Sequence, residues 1–216
     1  SIWHSMDHFI QALKTRLSAS LPGVPAQMKF CIRSKETFNS LEQKYDLKPA
    51  GTLLLLFPVN GSICFFLTKR TETLEHHKGQ ISLPGGVQEK GESLLETALR
   101  ETREEIGINE NIEILGQLSP LPVPVTGFEI HPFVGWLPRK PRTVLQKEEV
   151  DKILIIPAED LMKNEFQKVK KDNLRGFSVD IPYFYLNQEM VWGATSMILS
   201  EFKTIISPLF SKEASL

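Results

Sequence analysis

The sequence has no surplus of charge of either sign, no long apolar run and few cysteines. Its 25 lysines and arginines nearly balance 26 aspartates and glutamates, which leaves a net charge of −1. That balance argues against broad electrostatic binding to nucleic acid or to an acidic membrane surface. No apolar stretch approaches the roughly eighteen residues of a membrane span, and no basic-then-apolar secretion signal opens the chain.

The two cysteines, Cys31 and Cys64, give neither a disulfide framework nor the spacing of metal ligands. We expect both thiols to be reduced and the protein to be cytoplasmic. The chain has 216 residues, of which 41% are hydrophobic and 24% charged, and this suits one domain with a full core. Residues 1–23 are expected to form a helical extension that packs on this domain or contacts a second copy in a homodimer.

The most informative stretch is residues 86–108, which read GVQEKGESLLETALRETREEIGI. On a helix, Glu101, Glu104 and Glu105 share one face, because residues three and four apart are neighbours. Such clustered carboxylates call for a cation, and Mg²⁺ or Mn²⁺ suits an all-oxygen site. The plainer alternative is a solvated acidic face.

The sequence also predicts where this helix begins and ends. Ser93 followed by Glu96 is a capping box, and Gly107 tolerates the left-handed conformation past a helix end. Arg100 stands four residues before Glu104 and can pair with it. An apolar stripe lies roughly 120° around the helix from the carboxylates. It is formed by Leu95, Ala98, Leu99, Thr102 and Ile106.

The stretch matches every fixed position of the pattern G-x5-E-x7-R-E-U-x-E-E-x-G-U, where U is apolar or threonine. It therefore resembles the Nudix box, and a chance match in a chain of this length is on the order of one in a million. The resemblance implies an α/β (α+β) Nudix fold, in which a mixed β-sheet lies between α-helices and the box forms a catalytic loop–helix–loop.

The resemblance to the Nudix box also implies an activity and a set of metal ligands. The activity is the hydrolysis of a nucleoside diphosphate linked to another group, with Mg²⁺ or Mn²⁺ as cofactor. Glu101 and Glu105 are implied as the main metal ligands, Glu104 as a nearby ligand or base, and the carbonyl of Gly86 as a further ligand.

The segment before the box, residues 66–86, reads FLTKRTETLEHHKGQISLPGG. It resembles the motif LLTxRSxxLRxHxGQVxFPGG, which precedes the box in the coenzyme A pyrophosphatase branch of Nudix enzymes. Two positions depart from that motif: Leu83 replaces phenylalanine, and Glu75 replaces arginine and reverses a charge. If that arginine contacts a substrate phosphate in relatives, Glu75 changes the affinity for the substrate or its identity. The alternative interpretation of this position is a surface residue.

Four residues of this segment are candidate substrate ligands: Lys69, Arg70, His77 and Gln80. Lys69 and Arg70 place two positive charges at the end of a strand, where they suit phosphates. Each candidate also has a structural interpretation. Arg70 can pair with a glutamate of the box, His77 can be a hydrogen-bonded structural histidine, and Gln80 can make a turn contact.

Three later segments resemble the same branch. They are residues 125–135, residues 191–199, which start at Val191-Trp192-Gly193, and the passage around Glu149. Glu149 is a candidate extra metal ligand or general base, and its alternative is a solvated edge carboxylate. Sequence does not decide between Glu104 and Glu149 as base, because the criterion is reach to the attacking water. For Trp192 core packing is the favoured interpretation.

The remaining chain predicts a simple order of elements. A hairpin is expected from strands 53–57 and 63–67, joined by a turn at Asn60-Gly61. The run from Pro120 to Pro124 is expected to be a rigid extended loop. Helices are predicted near 9–17, 35–45, 157–163 and 193–206, and further strands near 111–118, 128–137, 152–156 and 176–186.

Three functions of different classes follow from these observations. The first is a metal-dependent coenzyme A pyrophosphatase that releases 3′,5′-ADP and 4′-phosphopantetheine. The second is a Nudix hydrolase of ADP-ribose, a dinucleotide or a nucleoside triphosphate. The charge reversal at Glu75 supports this alternative. The third is a nucleotide-sensing module without activity, which the complete set of box carboxylates disfavours.

Overall fold

The computed structural model of this protein describes residues 2–34, 46–71 and 79–211. Within these ranges the chain forms four α-helices and twelve strands. The helices are α1 (Ile2–Ser18), α2 (Val24–Gln27), α3 (Leu94–Ile106) and α4 (Gly193–Ser211). The strands are β1 (Arg33–Ser34), β2 (Lys48–Val59), β3 (Ser62–Arg70), β4 (Ile81–Ser82), β5 (Gly85–Val87), β6 (Glu113–Gln117), β7 (Leu121–Val123), β8 (Phe128–Trp136), β9 (Val150–Pro157), β10 (Gln167–Leu174), β11 (Phe177–Leu186) and β12 (Glu189–Val191).

The larger of two sheets has the central order β4-β3-β2-β8-β6, with β5, β7 and β9 attached to β2, β8 and β3. Strands β2 and β8 run parallel, whereas β3, β5, β6, β7 and β9 pair with their neighbours in antiparallel fashion. The predicted hairpin is confirmed, because β2 and β3 meet at Asn60 and Gly61 with φ of 49° and 84°. Both residues thus have the positive φ of a two-residue type I′ turn.

Helices cover both faces of this sheet, which explains why residues 53–57 of β2 form an unbroken apolar run. Leu53, Leu55 and Phe57 point to one face and pack with α3. Leu54 and Leu56 point to the other face and belong to the core formed with α1 and α4. The expected fold, a mixed sheet between helices, is confirmed.

The N-terminal helix packs on the body of the protein. Phe9 meets Phe210 of α4 edge to face at 5.1 Å, and Arg16 Nε donates to the carbonyl of Ile205 at 2.8 Å. The buried carboxylate of Glu201 on α4 accepts from Gly23 N at 2.6 Å and from Ser119 N at 2.7 Å. These bonds join α4 to the segment after α1 and to the loop before β7.

A smaller sheet is built from β1, β11, β10 and β12. Strand β11 agrees with the expectation for residues 176–186, but β10 was not predicted. Its sequence is polar and exposed nearly throughout, so it lacks the alternation that indicates a half-buried strand.

Several other expectations need correction. The predicted loop from Pro120 to Pro124 contains β7, which pairs with β8. Helix α4 continues past residue 206 to Ser211, with Pro208 inside it. Trp192 is 39% exposed instead of packed in the core. The helix predicted over residues 35–45 lies outside the described residues. In the described part of the chain, no helix is long and apolar enough to cross a membrane.

Candidate active site

Helix α3 carries the acidic residues and has the ends that its sequence predicts. The Ser93 hydroxyl accepts from Glu96 N at 3.1 Å, which satisfies one of the free N–H groups of the first turn. Gly107 adopts φ of 72° and its N–H donates to the carbonyl of Arg103 at 2.9 Å. Both caps fix the register of the carboxylates relative to the strands beside them.

Arg100 is the centre of the charge network on this helix. Its guanidinium binds both carboxylate oxygens of Glu92, at 3.0 and 2.9 Å. Nη1 also lies 2.9 Å from Glu101 Oε1 and 3.2 Å from Glu104 Oε2. The predicted pairing of Arg100 with Glu104 is confirmed, and Arg100 orients three box carboxylates at once.

Glu105 is a buried carboxylate at the edge of the apolar stripe, with 5% of the residue exposed. One oxygen accepts from Gly85 N at 3.1 Å. Burial raises the pKa of Glu105 to about 8, the charges of Glu101 and Glu149 add to the rise, and Gly85 N–H and Arg70 oppose it. A nearby positive charge would therefore stabilise the ionised form of Glu105, which burial disfavours.

Glu101 lies against the backbone of Gly86. A Cβ on Gly86 would stand 2.5 Å from Glu101 Oε1, so only glycine leaves this carboxylate in place. Burial raises the pKa of Glu101, the negative charges of Glu104 and Glu149 act in the same direction, and Arg100 opposes them. The structure thus brings together four of the predicted residues: Glu101, Glu104, Glu105 and Gly86.

Glu104 and Glu149 are more open to solvent. The Glu104 side chain is 54% exposed, with Arg100 as its ion-pair partner. Glu149 is exposed, and its carbonyl accepts from Thr71 N at 3.1 Å, which holds its backbone beside the end of β3. Its charge acts on both Glu101 and Glu105. Both candidates for general base therefore border the buried carboxylates.

The donor atoms of this cluster fit a hard divalent cation, because they are carboxylate oxygens with a backbone glycine beside them. Among the described residues, however, no three acidic, histidine or cysteine side chains converge on one point in the manner of a metal site. Arg100 Nη1 instead contacts Glu101 and Glu104. Arg100 thus engages one oxygen of each of these two carboxylates.

A cleft of about 160 Å³ opens beside Gly85 and Gly86. Its polar wall includes Arg70 and Gln80, which are joined by a bond from Arg70 N to the Gln80 carbonyl at 2.9 Å. Two buried polar atoms in this wall, Arg70 Nε and Thr52 Oγ1, have no hydrogen-bond partner among the described residues. The apolar wall is formed by Leu83, Val123, Phe128, Ile130 and Ala194.

Sequence reasoning missed Thr52, because one hydroxyl within an apolar strand carries no signal of its own. Lys69 does not line the cleft. Its ammonium lies 3.2 Å from Glu189 Oε1, and Lys152 contacts the same oxygen at 3.0 Å. His77 and Glu75 lie outside the described residues, so their predicted roles stay predictions.

The sequence matches the NUDIX domain over residues 47–177, and the chain belongs to the Nudix hydrolase family. Members of this family hydrolyse pyrophosphate linkages in nucleotide derivatives and generally use divalent metal ions. The carboxylate helix lies inside the matched range, as do the lining residues of the cleft apart from Ala194 and Thr195.

Among its relatives is Nudix hydrolase 3 of Caenorhabditis elegans, 34% identical over 175 residues, which is 73% of each chain. The uncharacterized Nudix hydrolase NudL of Photorhabdus laumondii is 34% identical over 156 residues, covering 71% of this chain and 76% of NudL.

The fold is similar to that of RenU, a Nudix hydrolase from M. smegmatis, with a TM-score of 0.53 and 14% identity. That match covers 74% of this chain and 86% of RenU. A MutT/nudix family protein from Enterococcus faecalis has a TM-score of 0.52 at 16% identity, over 80% of this chain and 66% of that one.

Proposed function

We propose that this protein is a metal-dependent diphosphatase of coenzyme A or its derivatives, folded as a single domain over residues 1–216. The products would be 3′,5′-ADP and 4′-phosphopantetheine, or its acyl form. The observation that carries the proposal is the position of Arg70 and Gln80, two described residues of the segment 66–86. This segment resembles the coenzyme A branch, and its Arg70 and Gln80 line the cleft beside the carboxylates of α3.

Arg70 is suited to bind the diphosphate. Its Nε is buried without a partner among the described residues, and an unpaired buried N–H of a guanidinium is costly. A phosphate oxygen would satisfy it, since a guanidinium binds phosphate through parallel hydrogen bonds. Thr52 Oγ1, which likewise has no partner in the described part of the chain, can bind a second polar atom of the substrate.

The carboxylates of α3 are suited to hold the metal. Glu101 and Glu105 would be the main ligands of Mg²⁺ or Mn²⁺, with Glu104 and the Gly86 carbonyl as further ligands. A bound cation of this kind neutralises phosphate charge and lowers the pKa of attached water. Arg100 would position Glu101 and Glu104 through the bonds described above, and Glu104 or Glu149 would accept the proton of the attacking water.

The apolar wall supports a substrate with an uncharged arm. Val123, Phe128 and Ile130 line the same cleft as Arg70 and Thr52. A pantetheine chain buries methyl and methylene groups, and such contacts are favourable against an apolar wall. Lys69 and His77 remain candidates for contacts to the 3′-phosphate of coenzyme A. Lys69 would have to break its ion pair with Glu189 to make such a contact.

A second candidate is hydrolysis of another nucleoside diphosphate derivative, such as ADP-ribose or a dinucleotide. It is favoured by Glu75, which reverses the charge that the coenzyme A motif places there. A substrate panel separates the two. We expect kcat/KM for coenzyme A to exceed that for ADP-ribose and dinucleotides by at least about tenfold with Mg²⁺ or Mn²⁺. Faster turnover of ADP-ribose would overturn the coenzyme A assignment.

A further inference from the structure

A second pocket, of about 300 Å³, lies between the small sheet and α4. It shares no lining residue with the cleft described above. Its walls come from the turn after α2, from β1, β10 and β11, and from the middle of α4. A pocket of this size is large enough for a small metabolite.

Four cations line this pocket: Lys29, Arg33, Lys168 and Lys203. None of its described lining residues is acidic, although the whole chain carries a net charge of only −1. The positive charge is therefore a local feature of the pocket and does not reflect a basic protein.

The contacts of these cations leave their charge uncompensated. Arg33 Nη2 donates to the carbonyl of Lys29 at 3.1 Å, and Lys203 Nζ donates to Gln167 Oε1 at 2.9 Å. Lys168 Nζ stands 5.6 Å from the ring centroid of Tyr185. Within the described ranges none of the four makes an ion pair. Asp180, opposite Arg33 in the register of β1 and β11, does not form one with it.

Lys203 shows the electrostatic cost of this arrangement most directly. It is only partly exposed, and burial lowers its pKa, with repulsion from Lys29 acting in the same direction. An anion between Lys29 and Lys203 would reduce the repulsion between the two ammonium groups. It would also offset part of the free-energy cost of burying the charge of Lys203.

We propose that this pocket binds a small molecule that carries a diphosphate or two phosphate groups. A single phosphate would leave most of 300 Å³ unfilled and would engage only some of the four cations. Val169 and Pro182 supply apolar surface for the rest of the ligand. A local pocket, as opposed to an extended basic stripe, favours a small molecule over a nucleic acid.

Calorimetric titration of inorganic pyrophosphate into the metal-free full chain tests this site. Chelation of metal keeps pyrophosphate from binding through a cation at the α3 carboxylates. We expect saturable binding that weakens by at least about tenfold in Lys29→Gln/Lys168→Gln, because two exposed charges near the ligand are lost. The matched double variant Lys140→Gln/Lys171→Gln removes the same charge at exposed sites outside the pocket and should weaken binding by less than about twofold.

Four results would overturn the proposal. Equal weakening in the two double variants would show a bulk charge effect. Loss of binding in Arg70→Met, with binding retained in Lys29→Gln/Lys168→Gln, would place pyrophosphate in the cleft. Absence of saturable binding to the wild-type chain would leave no site. A single-stranded oligonucleotide that displaces pyrophosphate at lower concentration would assign the pocket to nucleic acid instead. Thermal unfolding checks that both double variants are folded.

Discussion

At the scale of single residues, the glutamates of the site differ in their burial and in their hydrogen-bond partners. Glu92 is bound on both oxygens by Arg100, whereas Glu105 is buried with one backbone N–H as its hydrogen-bond partner. The first environment favours the charged form and the second disfavours it. Identical side chains on one short segment therefore serve structure at Glu92 and, in our proposal, metal binding at Glu105.

Replacing Glu105 by glutamine should separate activity from stability. We expect kcat to fall by at least about a hundredfold, because a proposed metal ligand loses its charge. The melting temperature should stay equal or rise, because burial disfavours the ionised carboxylate and glutamine keeps the shape. Steady-state kinetics and thermal unfolding measure the two effects. Glu96→Gln, an exposed residue on the same helix, is the matched control, and near-wild-type turnover of Glu105→Gln would refute the assigned role.

Glu92 should make stability depend on pH in the acid range. The Arg100 guanidinium, with a bond from Glu89 N, lowers the pKa of Glu92 from 4.5 to about 2. The folded state therefore gains stability from this residue above about pH 4.5 and loses it as the pH falls toward 2.

The comparison of wild type with Glu92→Gln isolates this contribution. The difference in melting temperature should be constant above pH 4.5 and should shrink as the pH is lowered from 4.5 to 2, because protonation makes the two side chains alike. Glu96→Gln should show no comparable trend. A difference that stays constant down to pH 2 would contradict the role given to Arg100.

At the scale of elements, the site depends on the close approach of α3 to β2 and β5. Glycines make this approach possible at two points. A Cβ on Gly51 would stand 2.4 Å from the carbonyl of Leu94 at the start of α3, whereas a Cβ on Gly86 would meet the flexible end of Glu101. The first contact is with backbone and the second with a movable side chain.

The variants Gly51→Ala and Gly86→Ala should therefore fail in different ways. Gly51→Ala pushes the backbone of α3 away from β2, and we expect about 1–3 kcal/mol of destabilisation. Gly86→Ala displaces the Glu101 carboxylate, and we expect little change in melting temperature but a loss of turnover. Denaturant unfolding and kinetics on both variants test this. Equal destabilisation of the two, or full activity of Gly86→Ala, would contradict the packing described here.

The same elements show how far the sequence could be interpreted. Helix α3 was predictable because Ser93, Gly107 and its apolar stripe all indicate one helix in one register. Strand β10 was not, because its exposed lysines give no alternation. Arg100 could be paired with Glu104 from spacing alone, but its bonds to Glu92 depend on the path of the loop before the helix. The Thr52 hydroxyl has no partner within the ranges that the structure describes, and this depends on tertiary packing across the cleft and leaves no trace in the sequence.

At the scale of the whole molecule, one mixed sheet separates two cores, and its strands β2, β3, β5 and β8 contribute residues to the cleft. The core on the α3 side holds the carboxylate helix against β2, and the core on the other side joins α1 and α4 to the same sheet. Helix α4 contributes Ala194 and Thr195 to the cleft and Lys203 and Thr204 to the cationic pocket. The two pockets are thus built on a shared helix.

The central claim is that this chain hydrolyses the diphosphate of coenzyme A at a cation held by α3. The most direct test is mass spectrometry of coenzyme A after incubation with the wild-type protein and Mg²⁺ or Mn²⁺. We predict 3′,5′-ADP and 4′-phosphopantetheine in equal amounts, no products after chelation of the metal, and at most about one hundredth of the wild-type rate with Glu105→Gln. Intact coenzyme A under conditions in which ADP-ribose is cleaved would contradict the claim.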